Sequence, residues 1–461
     1  MELEEINNLE GYQRIHLIGI GGVSMSAIAE TLKCWGYIVT GSDLHTSELT
    51  EKLIKDGIEV TIGHNEENAK KADLIIYNAA IPEDDPEMVI ARVNQIPIIG
   101  RGKFVGFLTK TYQEAICISG THGKTTTTSM IACAFIEAGL DPSVEVGAVL
   151  SAINGNYRIG KSEYFILESC EYKGNFLNFN PNSAVILNID NDHLDYYKTF
   201  ENVVKAFTSF AELVDNRGVL VTNGDDENCL KLENHTKAKF VTYGIQNQNA
   251  NFVAKNIQFD DNGFAEFDCY RNQEEYLHVK LSITGYHNIL NSLACIGICD
   301  YYNVDKNVVQ KALKNFTGAS RRLEYKGSFN QISVFDDYAH HPTEILATAK
   351  AVKNKKYNES WVIFQPHTFS RTKAHLQDFA KALSNFDHVI LTNIYAAREI
   401  DTGEVSSNDV VKEIQKLGKE AICIGDFEEI VNYVKKNASP KDIVITLGAG
   451  NVTSIGPMLV E

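Results

Sequence analysis

At 461 residues the chain exceeds what one hydrophobic core usually serves, so about three domains are expected. Its 44% hydrophobic and 22% charged residues fit a soluble globular protein, and no apolar run approaches the roughly 20 residues that cross a bilayer. A formal charge of −17 argues against a general nucleic-acid surface, so any anionic ligand would need local donors working against the global field.

The opening Met1-Glu-Leu-Glu-Glu-Ile is acidic and lacks the basic and apolar regions of a signal peptide, so a cytoplasmic chain is expected. Nine cysteines (Cys34, Cys117, Cys133, Cys170, Cys229, Cys269, Cys295, Cys299, Cys423) are scattered with no Cys-x-x-Cys pair. Cys295 and Cys299 fall in an apolar helical pattern, so buried reduced thiols are expected, with no disulfide and no zinc.

From Arg14 to about Thr111 short apolar runs alternate with helical patterns: Ile15-His-Leu-Ile-Gly, Met25 to Leu32, Tyr37-Ile-Val-Thr, Leu49 to Lys55 and Leu74-Ile-Ile-Tyr. That alternation predicts βαβ units on a parallel sheet. Gly19-Ile-Gly-Gly-Val-Ser24 is a Gly-rich turn after a strand, and Asp43 ends the strand-like Ile38-Val-Thr where a ribose-binding acid often sits. By itself such a turn is weak evidence, and a nicotinamide-nucleotide oxidoreductase is one reading of it.

A new strand-like run, Ala115-Ile-Cys-Ile-Ser, meets a second Gly-rich loop and a helix from about Thr125 that Gly139 can end. Between about Phe252 and Ile283, alternating residues predict antiparallel strands, a patch attached to the central domain. Beyond Arg322 the βα alternation returns with Val334-Phe, Trp361-Val-Ile-Phe, Val389-Ile-Leu, Ala421-Ile-Cys-Ile and Ile443-Val-Ile-Thr. The expected fold is α/β in three domains: 1–112 Rossmann-like, 113–320 a P-loop-type ATPase sheet with a small antiparallel patch, and 321–461 Rossmann-like.

The second loop, Gly120-Thr121-His122-Gly123-Lys124-Thr125-Thr126, stands between strand and helix, where backbone amides and the positive helix end can hold phosphates. Ile118 stands where a strict G-x-x-x-x-G-K-[ST] pattern needs Gly, so the loop is a shortened relative of that motif. Lys124 is expected to meet the β and γ phosphates and the Thr125 hydroxyl to reach Mg²⁺; an ordinary Thr-rich helix cap is the plainer alternative. Glu168 and Glu171 end one strand-like run and Asp192-His193 follow another, so both could lie at the carboxyl edge of the sheet and hold metal. Taken singly, each would read as a solvated strand end.

With these residues in place the chain resembles the Mur ligase family over nearly its full length. The family pattern is a Gly-Thr-x-Gly-Lys-Thr loop, an acidic metal ligand, Asp-His-x-Asp, His-Asn-x-x-Asn, and an Arg before the C-terminal domain. This chain supplies Gly120 to Thr126, Glu171, Asp192-His193-Leu194-Asp195, His287-Asn288-Ile-Leu-Asn291 and Arg321-Arg322, in that order. The resemblance implies an ATP-dependent ligase using ATP and Mg²⁺, with metal at Thr125, Glu171 and His193 and with Lys124 offsetting phosphoryl charge. It gives Asn288 and Asn291, on one helix face, to adenine, and Arg322, with Arg321 beside it, to the γ-phosphate. Asp337 joins the ATP set.

Three further stretches, Gly19 to Ser26, Phe335-Asp-Asp337-Tyr338-Ala-His340-His341-Pro342-Thr343 and Gln365-Pro-His367-Thr-Phe-Ser-Arg371-Thr, imply UDP-N-acetylmuramate and L-alanine as substrates. By resemblance the sugar carboxylate attacks the γ-phosphate of ATP, and the alanine amine then attacks the resulting acyl phosphate. Tyr338, His340, His367 and Arg371 would hold the amino acid or acyl phosphate, with Lys124, His340 and Arg371 as the catalytic set. Gly19, Gly21, Gly22, Ser24, Met25, Ser26, Asp43 and Arg101 would surround the UDP-sugar.

Several residues depart from the family pattern: Ser24 for Gly, Cys170 for Asp, Leu187 for Thr, Lys103 for an acid and Arg398 for Gly. Members that add later amino acids carry a carbamylated lysine; the matching place here is about Thr208, with Lys205 only nearby, so no modified lysine is expected. No nucleic acid or membrane partner is expected, and the chain is taken as a monomer or weak homodimer. A relative that attaches a preformed peptide to the same UDP-sugar, and a non-catalytic nucleotide-switched binding protein, are the alternatives.

Overall fold

The apolar runs of the first hundred residues form a parallel sheet in the order Glu59–Ile62, Ile38–Asp43, Arg14–Ile18, Leu74–Tyr77, Ile98–Gly100. Helices cover both faces, so alternate residues of one strand enter different cores. Ile15 and Leu17 pack with Ile28 and Leu32 of helix Val23–Cys34, whereas Ile18 joins Ile75, Met88 and Ala91. The order reverses between Arg14–Ile18 and Leu74–Tyr77, which puts the Gly-rich turn after Ile18 at the switch point where doubly wound sheets bind ligands.

The computed structural model describes residues 2–3, 5–64, 66–78, 80–260, 263–397 and 399–461, with the side chain of Asp195 also left out. The departure at Arg398 therefore lies outside the described residues. The chain divides into two units, Met1–Ala250 with Ala294–Val308, and Asn251–Leu293 with Val309–Glu461. Among the described residues no helix is long and apolar enough to cross a membrane.

The first unit also holds strands in the order Lys239–Gly244, Val219–Asn223, Ser183–Ile186, Glu114–Ser119, Tyr164–Glu168, Ser143–Leu150, Gly155–Arg158, parallel except for the last pair. Helix Phe200–Glu212, capped by the Thr199 side chain on Asn202 N, presents Phe207 and Phe210 to the core. Phe176 stacks on Phe210 with centroids 4.7 Å apart and meets Phe207 edge-on at 5.3 Å. Such pairs add about 0.5–1.5 kcal/mol beyond area burial, and they brace the segment just after Glu171.

In the second unit Phe252–Phe259, Phe264–Arg271 and Glu274–Thr284 form the expected antiparallel strands, with Leu277, Val279, Leu281 and Ile283 inward. Lys355 sits 5.8 Å above the Phe264 ring, a cation–π contact that ties this patch to the C-terminal segment. The C-terminal sheet runs Glu324–Phe329, Ile332–Asp337, Ile443–Leu447, Ser360–Phe364, His388–Leu391, Ala421–Cys423, parallel apart from the first pair. The fold is thus α/β, with a parallel N-terminal sheet, a C-terminal sheet parallel but for its first pair, and a mixed central one. Register sets Asp337 and Phe364 beside Leu447, so the segments after these strands emerge together at one sheet edge.

The cysteine expectation holds only in part. Cys117, Cys229, Cys269, Cys295 and Cys299 are buried, but Cys34, the last residue of its helix, is exposed.

Candidate functional site

Strand Glu114–Ser119 delivers the chain into Gly120, whose φ of +138° and crowded surroundings both demand glycine. A Cβ there would lie 2.9 Å from Leu187 Cβ. Gly123 at φ +87° then opens helix Lys124–Glu137 with no side-chain cap, leaving the first-turn amides for an outside acceptor. The loop is held from behind by Asn188, which accepts from His122 N at 2.8 Å and donates to His122 O at 3.0 Å. Asp190 adds two links, its amide to Thr121 Oγ1 at 2.9 Å and its carboxylate to His122 Nε2 at 3.2 Å.

Lys124 Nζ lies 2.9 Å from Glu171 Oε2 and donates to Gly120 O at 2.5 Å and Thr121 O at 3.0 Å. Burial works to lower its pKa, but the carboxylates of Glu171 and Glu168 raise it, so Lys124 is cationic. Glu171 is 2% exposed; burial pushes its carboxyl up, yet Lys124 and His193 win and hold it low. His193 Nε2 stands 3.5 Å from Glu171 Oε1, and Thr125 Oγ1 donates to Glu168 Oε2 at 2.9 Å. Thr125, Glu168, Glu171 and His193 thus gather beside Lys124. Cys170, where the family usually has Asp, is a thiol pushed up to about 11, mainly by burial and then by Glu171, so it adds no charge to the group.

The first Gly-rich turn is arranged in the same way. Gly22 starts helix Val23–Cys34 without a side-chain cap, and Asp43 Oδ2 accepts from Gly21 N at 2.9 Å. The other Asp43 oxygen accepts from His45 N at 3.2 Å, so this carboxylate braces its own loops. A side chain at Gly21 would meet Thr50 Cγ2 at 2.7 Å. Arg101 Nη1 donates to Ser24 Oγ at 3.1 Å. Met25 is wholly buried in the core, and the Ser26 hydroxyl turns back to Val23 O at 2.9 Å, so these two offer the site main chain rather than side chain.

In the second unit, Asn288 and Asn291 share a face of helix Tyr286–Tyr301. Asn291 Nδ2 donates to Asn288 Oδ1 at 2.8 Å, and Asn288 Nδ2 to Thr284 O at 2.7 Å. Arg321 is a structural clasp: Nε donates to Asp336 Oδ2 at 3.1 Å and Nη2 to Gly450 O at 3.2 Å, with a second bond to Gly448 O. Tyr338 stacks under both guanidiniums, 4.9 Å from Arg321 and 5.4 Å from Arg322. Asp337 accepts from Ala339 N and Leu323 N, and burial lifts its carboxyl to about 6 against the pull of Arg322.

The remaining predicted residues of this unit form one cluster. His340 faces Tyr338 at 5.3 Å and His367 at 5.7 Å, and Arg371 Nη1 is 3.3 Å from His367 Nδ1. Tyr395, which the sequence reading did not assign to the site, stacks on His367 at 5.7 Å. Glu344, also unassigned, caps its helix by accepting from His340 N and His341 N; the segment His341-Pro-Thr-Glu344 carries the capping-box spacing that signals it. Asn188 and Asp190 were missed as well, and their signal is polar residues at the end of a strand that pairs with the loop's own strand.

Residues 14–113 match the Mur ligase family catalytic domain, 118–299 the Mur ligase middle domain and 321–450 the Mur ligase glutamate ligase domain. The UDP-N-acetylmuramate–L-alanine ligase of Acetivibrio thermocellus is 45% identical over 100% of this chain and 98% of its own length. That of Clostridium acetobutylicum is 46% identical over 97% of this chain and 98% of its own. Among solved structures, UDP-N-acetylmuramate-alanine ligase from Thermotoga maritima superposes with a TM-score of 0.83 at 31% identity, covering 97% of this chain and 98% of that one. A murein peptide ligase from Psychrobacter arcticus superposes at 0.72 with 22% identity over the same shares, a likeness of fold alone.

Proposed function

The chain belongs to the Mur ligase family, and we infer that it is an ATP-dependent ligase joining L-alanine to the lactyl carboxylate of UDP-N-acetylmuramate, a step in peptidoglycan precursor synthesis. The observation that carries this reading is similarity along the whole chain, including the C-terminal segment, to ligases named for that substrate pair. The carboxylate attacks the γ-phosphorus of ATP, ADP leaves, and an acyl phosphate forms. The alanine amine then attacks the acyl carbon, and phosphate departs from the tetrahedral intermediate as the nitrogen loses a proton. The oxidoreductase reading of the first Gly-rich turn gives way to this assignment.

Residue roles follow from placement. Lys124, cationic and fixed on its own loop, suits the charge of the transferring phosphoryl group. The uncapped amides after Gly123 suit the nucleotide phosphates, Asn288 and Asn291 suit adenine and Arg322 suits the γ-phosphate, with Asp337 kept in the ATP set. The hydroxyl of Thr125, the carboxylates of Glu168 and Glu171 and the imidazole of His193 fit Mg²⁺ by donor type, since hard oxygen ligands dominate the group and lie together beside the phosphate loop. Bound there, the metal would offset charge on the transferred phosphoryl group. Tyr338, His340, His367 and Arg371 form the group suited to the amino-acid carboxylate or acyl phosphate. Gly19, Gly21, Gly22, Ser24, Met25, Ser26, Asp43 and Arg101 form the UDP-sugar turn. We place the enzyme in the cytoplasm, with domains divided near residues 112 and 320 and no carbamylated lysine.

Phosphate release with ATP and Mg²⁺, with and without UDP-N-acetylmuramate, across L-alanine, D-alanine, D-glutamate, glycine and a tripeptide, tests the reading. Release that needs the UDP-sugar and L-alanine together, with a product one alanine residue heavier by mass spectrometry, is expected. Turnover with the tripeptide in place of L-alanine would overturn the donor assignment and leave the ATP site standing.

A further inference from the structure

In the C-terminal sheet, the loop after strand His388–Leu391 clamps the loop after strand Ser360–Phe364, and a strained residue lies inside the clamp. Thr368 has φ +67° and ψ +146°, a combination that glycine adopts freely and a β-branched residue seldom does. It stands between His367 and helix Phe369–Ala374, which carries Arg371, so its dihedrals set how those two side chains meet. Its main chain is tied at both ends. Thr368 N donates to Tyr395 O at 2.9 Å, and Tyr395 N donates to Pro366 O at 2.8 Å. Thr372 N and Oγ1 donate to Thr368 O at 3.2 and 2.7 Å.

Glu399 completes the clamp from the Tyr395 side. Its amide donates to Ala396 O at 2.9 Å, closing a turn in which Ala397 takes φ +53°. Its carboxylate then accepts twice from one residue, from Ser370 N at 2.9 Å on Oε2 and from Ser370 Oγ on Oε1. Ser370 N belongs to the first turn of helix Phe369–Ala374, where amides have no acceptor within the helix, and an ionised acceptor makes the stronger kind of hydrogen bond. Strained backbone persists only where its surroundings over-determine it. The Tyr395 main chain holds Thr368 from one side, and Glu399 holds the helix that follows it from the other. Release of Ser370 lets Thr368 relax toward negative φ, which turns His367 and Arg371 out of register.

We propose that Glu399 is a positioning residue for the amino-acid half of the reaction: by holding Ser370 it keeps Thr368 in its strained form, and with it the pairing of His367 and Arg371. The proposal rests on the reading that this cluster binds L-alanine. Initial rates of the full chain with each of the three substrates varied in turn test it. Glu399→Ala should raise KM for L-alanine about tenfold, the worth of a hydrogen bond to a charged group. KM for ATP and for UDP-N-acetylmuramate should stay within about twofold, a split that general loosening of the fold would not give. Glu399→Gln, which keeps an acceptor oxygen for Ser370, should recover most of the loss.

Thr368→Gly supplies a residue that reaches the same dihedrals without strain, so Glu399→Ala in that background should cost at most about threefold in KM for L-alanine. In the Ser370→Ala background it should likewise cost less than in the parent, since one of its two bonds is already gone. Full additivity in both backgrounds, an equal shift in KM for ATP, or an unchanged KM for L-alanine in Glu399→Ala overturns the proposal. Should Glu399→Ala not fold, the cycle of Glu399→Gln with Ser370→Ala reads the same coupling. If the parental chain shows no turnover that depends on L-alanine, the functional reading falls; if it does and the variants match it, only the role of Glu399 falls.

Discussion

Lys124 Nζ and Glu171 Oε2 stand 2.9 Å apart in a buried ion pair, so the lysine of the phosphate loop is already charged and aimed before any nucleotide arrives. Glu171 in turn meets His193, which makes one carboxylate the meeting point of the loop and the candidate metal ligands. Lys124→Ala removes the loop's cation and leaves Glu171 without its closest partner. Turnover should fall by about 100- to 1000-fold, the usual effect of deleting one electrostatic stabiliser. Phosphate release by a variant whose near-ultraviolet circular dichroism matches the parent is the measurement. Near-parental turnover would show that the loop does not hold phosphates.

His193 occupies a left-handed backbone position, φ +56°, which turns its ring toward Glu171 and against Tyr172 at 4.9 Å. A residue held so specifically at a strand exit is well suited to a metal ligand. His193→Ala should raise the Mg²⁺ concentration for half-maximal activity by about tenfold or more, as loss of groups that hold or orient metals commonly does. An unchanged magnesium titration removes His193 from the metal shell.

Much of this was legible because glycine, lysine and threonine at fixed spacing after an apolar run state the loop geometry directly. Gly120 to Thr125 needed only the strand and helix around them, and strand alternation gave the α/β class. What escaped were the braces. Asn188 and Asp190 come from a strand far along the chain, and only its pairing with Glu114–Ser119 brings them behind the loop. Asp43 was legible as a strand-end acid, but that its oxygens are taken by Gly21 N and His45 N depends on loop conformation that no residue pattern encodes. Tyr395 reaches His367 only because neighbouring parallel strands end at one edge.

Asp337 gives a pH signature. Burial lifts its carboxyl from 3.8 to about 6 in the folded chain. Between those values the folded state binds more protons than the unfolded state, so this group's contribution to stability falls as pH rises across that window and is flat above it. At one pKa unit per 1.36 kcal/mol the penalty reaches about 3 kcal/mol at neutral pH. Asp337→Asn removes the titration while changing the hydrogen bonds to Leu323 N and Ala339 N by a pH-independent amount. The stability of the variant relative to the parent should therefore rise by up to about 3 kcal/mol between pH 4 and pH 7. Denaturation midpoints at the two pH values check this, and parallel curves would show that Asp337 is not held back from ionising.

Beneath the first sheet, Glu87 Oε2 accepts from Ser42 Oγ at 2.6 Å and meets His16 Nε2 at 3.1 Å, while His16 Nδ1 contacts Thr40 Oγ1 at 2.9 Å. His16, Ser42 and Glu87 are fully buried: His16 on the strand that leads into the Gly-rich turn, Ser42 on the strand paired with it and Glu87 on helix Pro86–Val93. Glu87→Ala would leave His16 and Ser42 without their acceptor inside the fold, and each buried polar group so stranded costs about 1–3 kcal/mol. Replacing both ends, as in His16→Leu with Glu87→Met, removes the stranded imidazole but still takes their partners from the Ser42 and Thr40 hydroxyls, so it should cost less than Glu87→Ala without being neutral. Urea denaturation of the three proteins decides between the two effects: if the double variant is the least stable, the network contributes through its own hydrogen bonds and not merely by satisfying groups that burial has stranded.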